Sequence, residues 1–273
     1  MTFPPSGNRG KTVLGKTHPV PVLLVKILLA VLAFTCWVGE VLGCKKSSPS
    51  DTSSIQTITI TYPEKIPIKA LFYAAHQPTQ MGALIMASTP SELYQWDILA
   101  ARLQQSGLTC IVAPLSPENG DLHVNESDAA SSPQQAQRFL SRIDSGRRAL
   151  VERGVQPENI ALIAGDSAAF AALLYAVSRP EIAAVVLLSP PINEFGQNGA
   201  DVMNAYGKRA CLIMAAEGDT FAAAAAHTLK QAAIGFCELR IYSGSAHGVD
   251  LLHSSEQARE QILVWLKEVL GLP

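Results

Sequence analysis

The stretch Ile160-Ala161-Leu162-Ile163-Ala164-Gly165-Asp166-Ser167-Ala168-Ala169 is where this sequence comes closest to chemistry. A short apolar run passes through a tight turn into 168–178, a segment apolar enough to be a buried helix. A serine at such a turn has its hydroxyl lifted clear of the sheet. It also lies beside the first free N–H groups of a helix, which suit a developing oxyanion. Ser167 is therefore the candidate nucleophile, with Gly165 and Ala169 as the small residues where strand and helix converge. Its other role would be to cap the helix. Metal chemistry is not indicated, because His76, His123, His227 and His253 lack ligand spacing and the cysteines include no C-x-x-C. Cys110, Cys211 and Cys237 each lie in an apolar run and read as small buried hydrophobes without a redox role.

A serine held this way needs a sheet beneath it. Segments 55–62 and 66–73 alternate apolar and polar residues, as an antiparallel pair with one wet face would. Continuous apolar runs follow at 83–87, 108–113, 160–164, 183–188, 210–215 and 237–242, the pattern of strands covered on both faces. Helical spacing separates them: Trp96, Leu99, Ala100 and Leu103 mark one face, 133–153 forms another helix, and Ile262, Trp265, Leu266 and Val269 form a last stripe. Repeated strand–helix units predict an α/β fold, a doubly wound, mostly parallel sheet with helices on both faces, within one domain over 55–273. The net charge of −2 and pI near 6.3 give no electrostatic grip on nucleic acid, so no nucleic-acid partner is expected.

With Gly165, Ser167 and Ala169 at a strand-to-helix turn, the sequence resembles the α/β-hydrolase superfamily, whose pattern is G-x-S-x-G. The likeness covers roughly 58–273 and is to small, lidless members such as dienelactone-hydrolase-like proteins and related esterases. The stretch 189–209 is too short for a large helical cap. The resemblance implies a triad in the order Ser, Asp, His. It places the acid at Asp219, after the run 210–215, and the base at His247, after the last strand. Glu217 is an alternative acid, Asp219 could simply start the next helix, and His247 could be a loop histidine. The implied oxyanion donors are the backbone N–H groups of Ala168 and Thr89. Thr89-Pro90-Ser91-Glu92 also reads as a capping box, in which Glu92 would take the Thr89 N–H. The expected activity is hydrolysis of a carboxylic ester or related acyl bond of a small molecule, without a cofactor or metal. An acyltransferase using the same triad, or a non-catalytic binding protein on the same fold, are the other readings.

The N-terminus reads as a targeting segment. Arg9, Lys11, Lys16 and Lys26 precede the apolar run 27–38, which is shorter than the ~20 residues that span a bilayer. Gly43-Cys44 then resembles the end of a bacterial lipoprotein signal peptide. This implies 1–43 as signal peptide or N-terminal membrane segment, lipidation at Cys44, and 44–54 as a polar linker. An uncleaved membrane anchor is the alternative. Either way the expected location is extracytoplasmic, at the membrane of a bacterial cell envelope.

Overall fold

The structure, a computed structural model, describes residues 55–116 and 132–272. The leader, Cys44 and the linker lie outside the described residues, as do residues 117–131, which include His123.

Strands β1 (Gln56–Thr61) and β2 (Pro67–Tyr73) form the expected antiparallel pair, and their alternating burial follows the alternating sequence. The continuous apolar runs become β3 (Gly82–Ala87), β4 (Thr109–Pro114), β5 (Ile160–Gly165) and β6 (Ala184–Leu188). A two-residue ribbon, β7 (Asn193–Glu194) with β8 (Gln197–Asn198), precedes β9 (Ala210–Ala216) and β10 (Cys237–Tyr242). The main sheet has eight strands in the order β1-β2-β4-β3-β5-β6-β9-β10. β2 meets β4 antiparallel, and all pairs from β4 to β10 are parallel. The order folds back at β3 and β4, so chain on either side of β5 winds outward in opposite directions.

Both sheet faces are covered. A 3₁₀ segment (Pro90–Trp96), α1 (Asp97–Gln105), α6 (Asp250–Ser254) and α7 (Glu256–Leu270) pack on one face. α2 (Pro133–Val151), α3 (Asp166–Ser178), α4 (Gly199–Tyr206) and α5 (Thr220–Ala232) pack on the other. Along β5, Ala161 and Ile163 point to the first layer, and Leu162 and Ala164 to the second, all fully buried. Burial on both faces is why β5 reads as an unbroken apolar run. Each Leu or Ile so buried contributes about 1.5–3 kcal/mol.

Helix limits follow local chemistry. Ser132 caps α2 by accepting from the Gln135 N–H at 3.2 Å, with Pro133 in the first turn. Asn198 caps α4, a helix which the sequence patterning did not indicate, through the N–H groups of Ala200 and Asp201. Inside α2, Asp144 is buried and accepts from the Tyr175 hydroxyl of α3 at 2.7 Å while pairing with Arg147, Arg148 and Arg179. Burial alone would raise its pKa, but the Tyr175 hydrogen bond and the arginines win and hold it at about 2. This charged knot pins α2 to α3, the helix that leaves the central strand.

Candidate active site

β5 runs extended to Gly165 (φ −116°, ψ 158°), and the next residue, Asp166, bends at φ +56° to open α3. A left-handed non-glycine residue between a buried strand and a buried helix is strained, and such strain concentrates where a side chain must be presented. The residue lifted out of the sheet is therefore Asp166, not Ser167. α3 begins two residues before the expected 168, and the small residues flanking the bend are Ala164 and Ala168, at 0% and 1% exposure. Ser167 falls in the first turn of α3, half-buried and off the wall of the pocket described next.

A pocket of about 300 Å3 opens beside the bend, with Ser88, Glu92, Trp96, Asp166, His247 and Asp250 on its wall. His247 follows β10, as expected, in the loop Ser243-Gly244-Ser245-Ala246-His247-Gly248. Asp219 follows β9 and starts α5. The loop residues Gly218 and Gly244 press together: a Cβ on Gly218 would sit 2.7 Å from the Gly244 carbonyl oxygen, which instead accepts the Gly218 N–H at 2.8 Å. That close approach, open only to glycine at 218, carries Asp219 to His247. The two readings of Asp219 hold together. One carboxylate oxygen caps α5 through the Ala222 N–H at 3.4 Å, and the other meets His247 Nδ1 at 2.6 Å. Glu217 is exposed, and its N–H is tied to the Tyr242 carbonyl.

His247 Nε2 faces Asp166 Oδ1 at 3.5 Å, so the imidazole lies between two carboxylates. Partial burial pulls the His247 pKa down, but the Asp219 hydrogen bond and the nearby charges of Asp166 and Asp219 outweigh it, and the pKa is raised above its ordinary value. Of the three residues expected to form a triad, the structure brings Asp219 and His247 together and sets Asp166 in the place given to Ser167.

The expected oxyanion donors also shift. With the bend at Asp166, the N–H following it belongs to Ser167, one residue before Ala168. No side chain caps α3. Thr89 precedes the 3₁₀ segment without a side-chain cap bond, its hydroxyl paired with Ser91 Oγ at 2.8 Å. Glu92 does reach back, but to the Ser88 N–H at 2.9 Å and not to that of Thr89. Trp96 is 1% exposed, and its indole N–H has no hydrogen-bond partner. Among the described residues, no group of three or more His, Cys, Asp or Glu is placed to hold a metal ion.

No protein-family model matches the sequence, and no curated protein matches it. Solved structures do. A dienelactone hydrolase from Anabaena variabilis ATCC 29413 is 16% identical, with a TM-score of 0.59 over 81% of this chain and 99% of its own. An esterase from Pyrococcus furiosus is 14% identical, with a TM-score of 0.62 over 84% and 96%. Est1E from Butyrivibrio proteoclasticus is 14% identical, with a TM-score of 0.61 over 79% and 99%. The strand order, the two helix layers and these likenesses agree: the chain has an α/β-hydrolase fold of the dienelactone-hydrolase-like kind.

Proposed function

We propose that the protein is a hydrolase in which the Asp166 carboxylate is the nucleophile, His247 the base that activates water, and Asp219 the group that orients His247. The observation that carries this reading is the strained bend at Asp166 facing a histidine whose far nitrogen is held by a second carboxylate. It replaces the expected attack by Ser167. A carboxylate suits a different electrophile, because attack on an ordinary ester would make an anhydride, which lies higher in energy. The favourable target is a saturated carbon bearing a leaving group on a small molecule.

An Asp166 oxygen forms a bond to that carbon, and the leaving group departs with the bonding electron pair, giving an ester on Asp166. His247 Nε2 then takes a proton from water, whose oxygen adds to the Asp166 carboxyl carbon. The tetrahedral adduct breaks its bond to the alkyl oxygen, His247 returns the proton to that oxygen, and the alcohol leaves; the Asp166 carboxylic acid then loses its proton to solvent, which restores the carboxylate. A single turnover of 1-bromobutane in H2-18O tests this. The proposal expects the label in the Asp166 peptide and not in the first product. Label in the product alone means that water attacks directly.

A second reading is favoured by Glu92. Its carboxylate takes the Ser88 N–H beside the pocket, where a negative charge opposes a developing oxyanion. On that reading the protein binds a small molecule without turnover, and neither substrate nor Asp166 acquires label.

The location is likewise a proposal. The sequence Gly43-Cys44 after a short apolar run supports a lipid anchor at Cys44 that holds the domain in a bacterial cell envelope. Mass spectrometry of membrane-fraction protein tests it: an intact Met1 N-terminus sinks the idea.

A further inference from the structure

Cys211 and Cys237, far apart in sequence, are direct partners in the parallel β9–β10 ladder. Adjacent strands lie about 4.8 Å apart, within the range of about 4.4–6.8 Å that disulfide Cα atoms span. Both side chains project to the same face, where they join the same core layer. Each thiol is near enough to the other to shift its pKa. The backbone enforces the approach. The Cys211 N–H donates to the Phe236 carbonyl at 2.9 Å, and a Cβ on Gly235 would lie 2.4 Å from the Lys208 carbonyl carbon, so only glycine lets these segments lie this close.

The two sulfurs are not equivalent. Cys237 is the first residue of an edge strand, 7% exposed, with Phe236 exposed beside it and Lys230 of α5 donating to its carbonyl. The neighbouring Cys211 thiol and the Lys230 ammonium hold the Cys237 thiol below its ordinary pKa against the opposing effect of burial. Cys211 is 1% exposed, and burial pushes its thiol up. Cys110, by contrast, is fully buried with only a backbone carbonyl for its thiol.

We propose that Cys211 and Cys237 form a dithiol site that closes to an intrachain disulfide by exchange with small-molecule disulfides. The Cys237 thiolate attacks one sulfur of the small disulfide, forming a mixed disulfide and releasing one thiolate. Cys211 then loses its proton, attacks Cys237 Sγ and releases the second thiolate. Two electrons and two protons pass from the protein, and two small thiols form.

The test is incubation of the full chain with oxidised glutathione, alkylation of remaining thiols after denaturation, and peptide mapping. The expected result is a Cys211–Cys237 cross-linked peptide that dithiothreitol reverses, with Cys110 alkylated throughout. Cys211→Ser should stop at a stable glutathione adduct on Cys237, and Cys237→Ser should leave Cys211 unmodified. The proposal is overturned if the wild-type chain keeps both thiols free, retains a stable glutathione adduct on Cys237, or links either residue to another cysteine instead. The wild-type map decides the matter even if a serine variant does not fold.

Discussion

Asp219 does two things for two elements at once: one carboxylate oxygen holds His247 Nδ1 at 2.6 Å, and the other caps α5. The pairing fixes which imidazole nitrogen faces Asp166, because Nδ1 is occupied by the carboxylate.

Replacing Asp219 with asparagine separates these jobs. Asparagine caps a helix as well as aspartate does, so thermal stability should hardly change. It removes the charge that steadies protonated His247, so turnover should fall by roughly 10³–10⁴-fold. Asp219→Ala should lose the cap as well, at about 1 kcal/mol. Glu217→Gln should behave as wild type in both assays. A crippled Glu217→Gln beside an active Asp219→Asn would reassign the acid.

The neighbouring pair Asp166 and Ser167 decides the nucleophile. Asp166→Asn should abolish turnover, whereas Ser167→Ala, which keeps its backbone N–H, should remain within a few-fold of wild type. A fluorophosphonate, which labels activated serines, should leave the folded protein unmodified. Labelling lost in Ser167→Ala would return the role to the serine.

Much of this site was legible in the sequence because it depends on strand ends. The runs at 210–215 and 237–242 become neighbouring parallel strands, so Asp219 and His247 leave the same sheet edge, although β10 is a part-exposed edge strand and not one covered on both faces as expected. What the sequence could not decide was one residue of phase at the bend. Gly165-x-Ser167-x-Ala169 and Ala164-x-Asp166-x-Ala168 are both small-flanked frames, and only the φ of +56° at Asp166 distinguishes them. Serine stands in one frame and aspartate in the other, and both residue types serve as nucleophiles. The cysteine pair was hidden for a related reason. Apolar runs identify β9 and β10 as strands, but composition does not encode their register, which pairs Cys211 with Cys237 and brings Gly235 against Lys208.

The Asp144 knot makes a stability prediction apart from the site. Its carboxyl is held at about 2 in the folded chain against an ordinary 3.8. A depressed pKa contributes stability above the unfolded value and loses it as pH falls toward the folded one. Acid unfolding should therefore set in between these values. Asp144→Asn should cost roughly 3 kcal/mol, because it leaves part-buried Arg147 without its carboxylate. Urea melts at neutral pH and at pH near 3 measure both effects; equal wild-type stability at the two would show that the knot adds nothing.

His247 gives the opposite sign. Its folded pKa is raised, so the folded chain binds the proton more tightly than the unfolded chain. That contribution is fully present below the unfolded value of 6.5 and is lost as pH rises through the folded value. As the base that hydrolyses the Asp166 ester, His247 acts only when neutral, so kcat should climb with pH as the imidazole loses its proton. The catalytic form thus appears as this stabilisation fades. An NMR titration of the His247 ring protons reads the midpoint without needing a substrate. Asp219→Asn removes the charge behind the stronger hydrogen bond and should move the NMR midpoint down, since the burial that opposes protonation stays in place. Asp166→Asn should also lower it, by removing the charge at 3.5 Å. A midpoint that moves in Asp219→Asn but not in Asp166→Asn would show that Asp166 does not face His247 in solution, and the assignment of the nucleophile would fall with it.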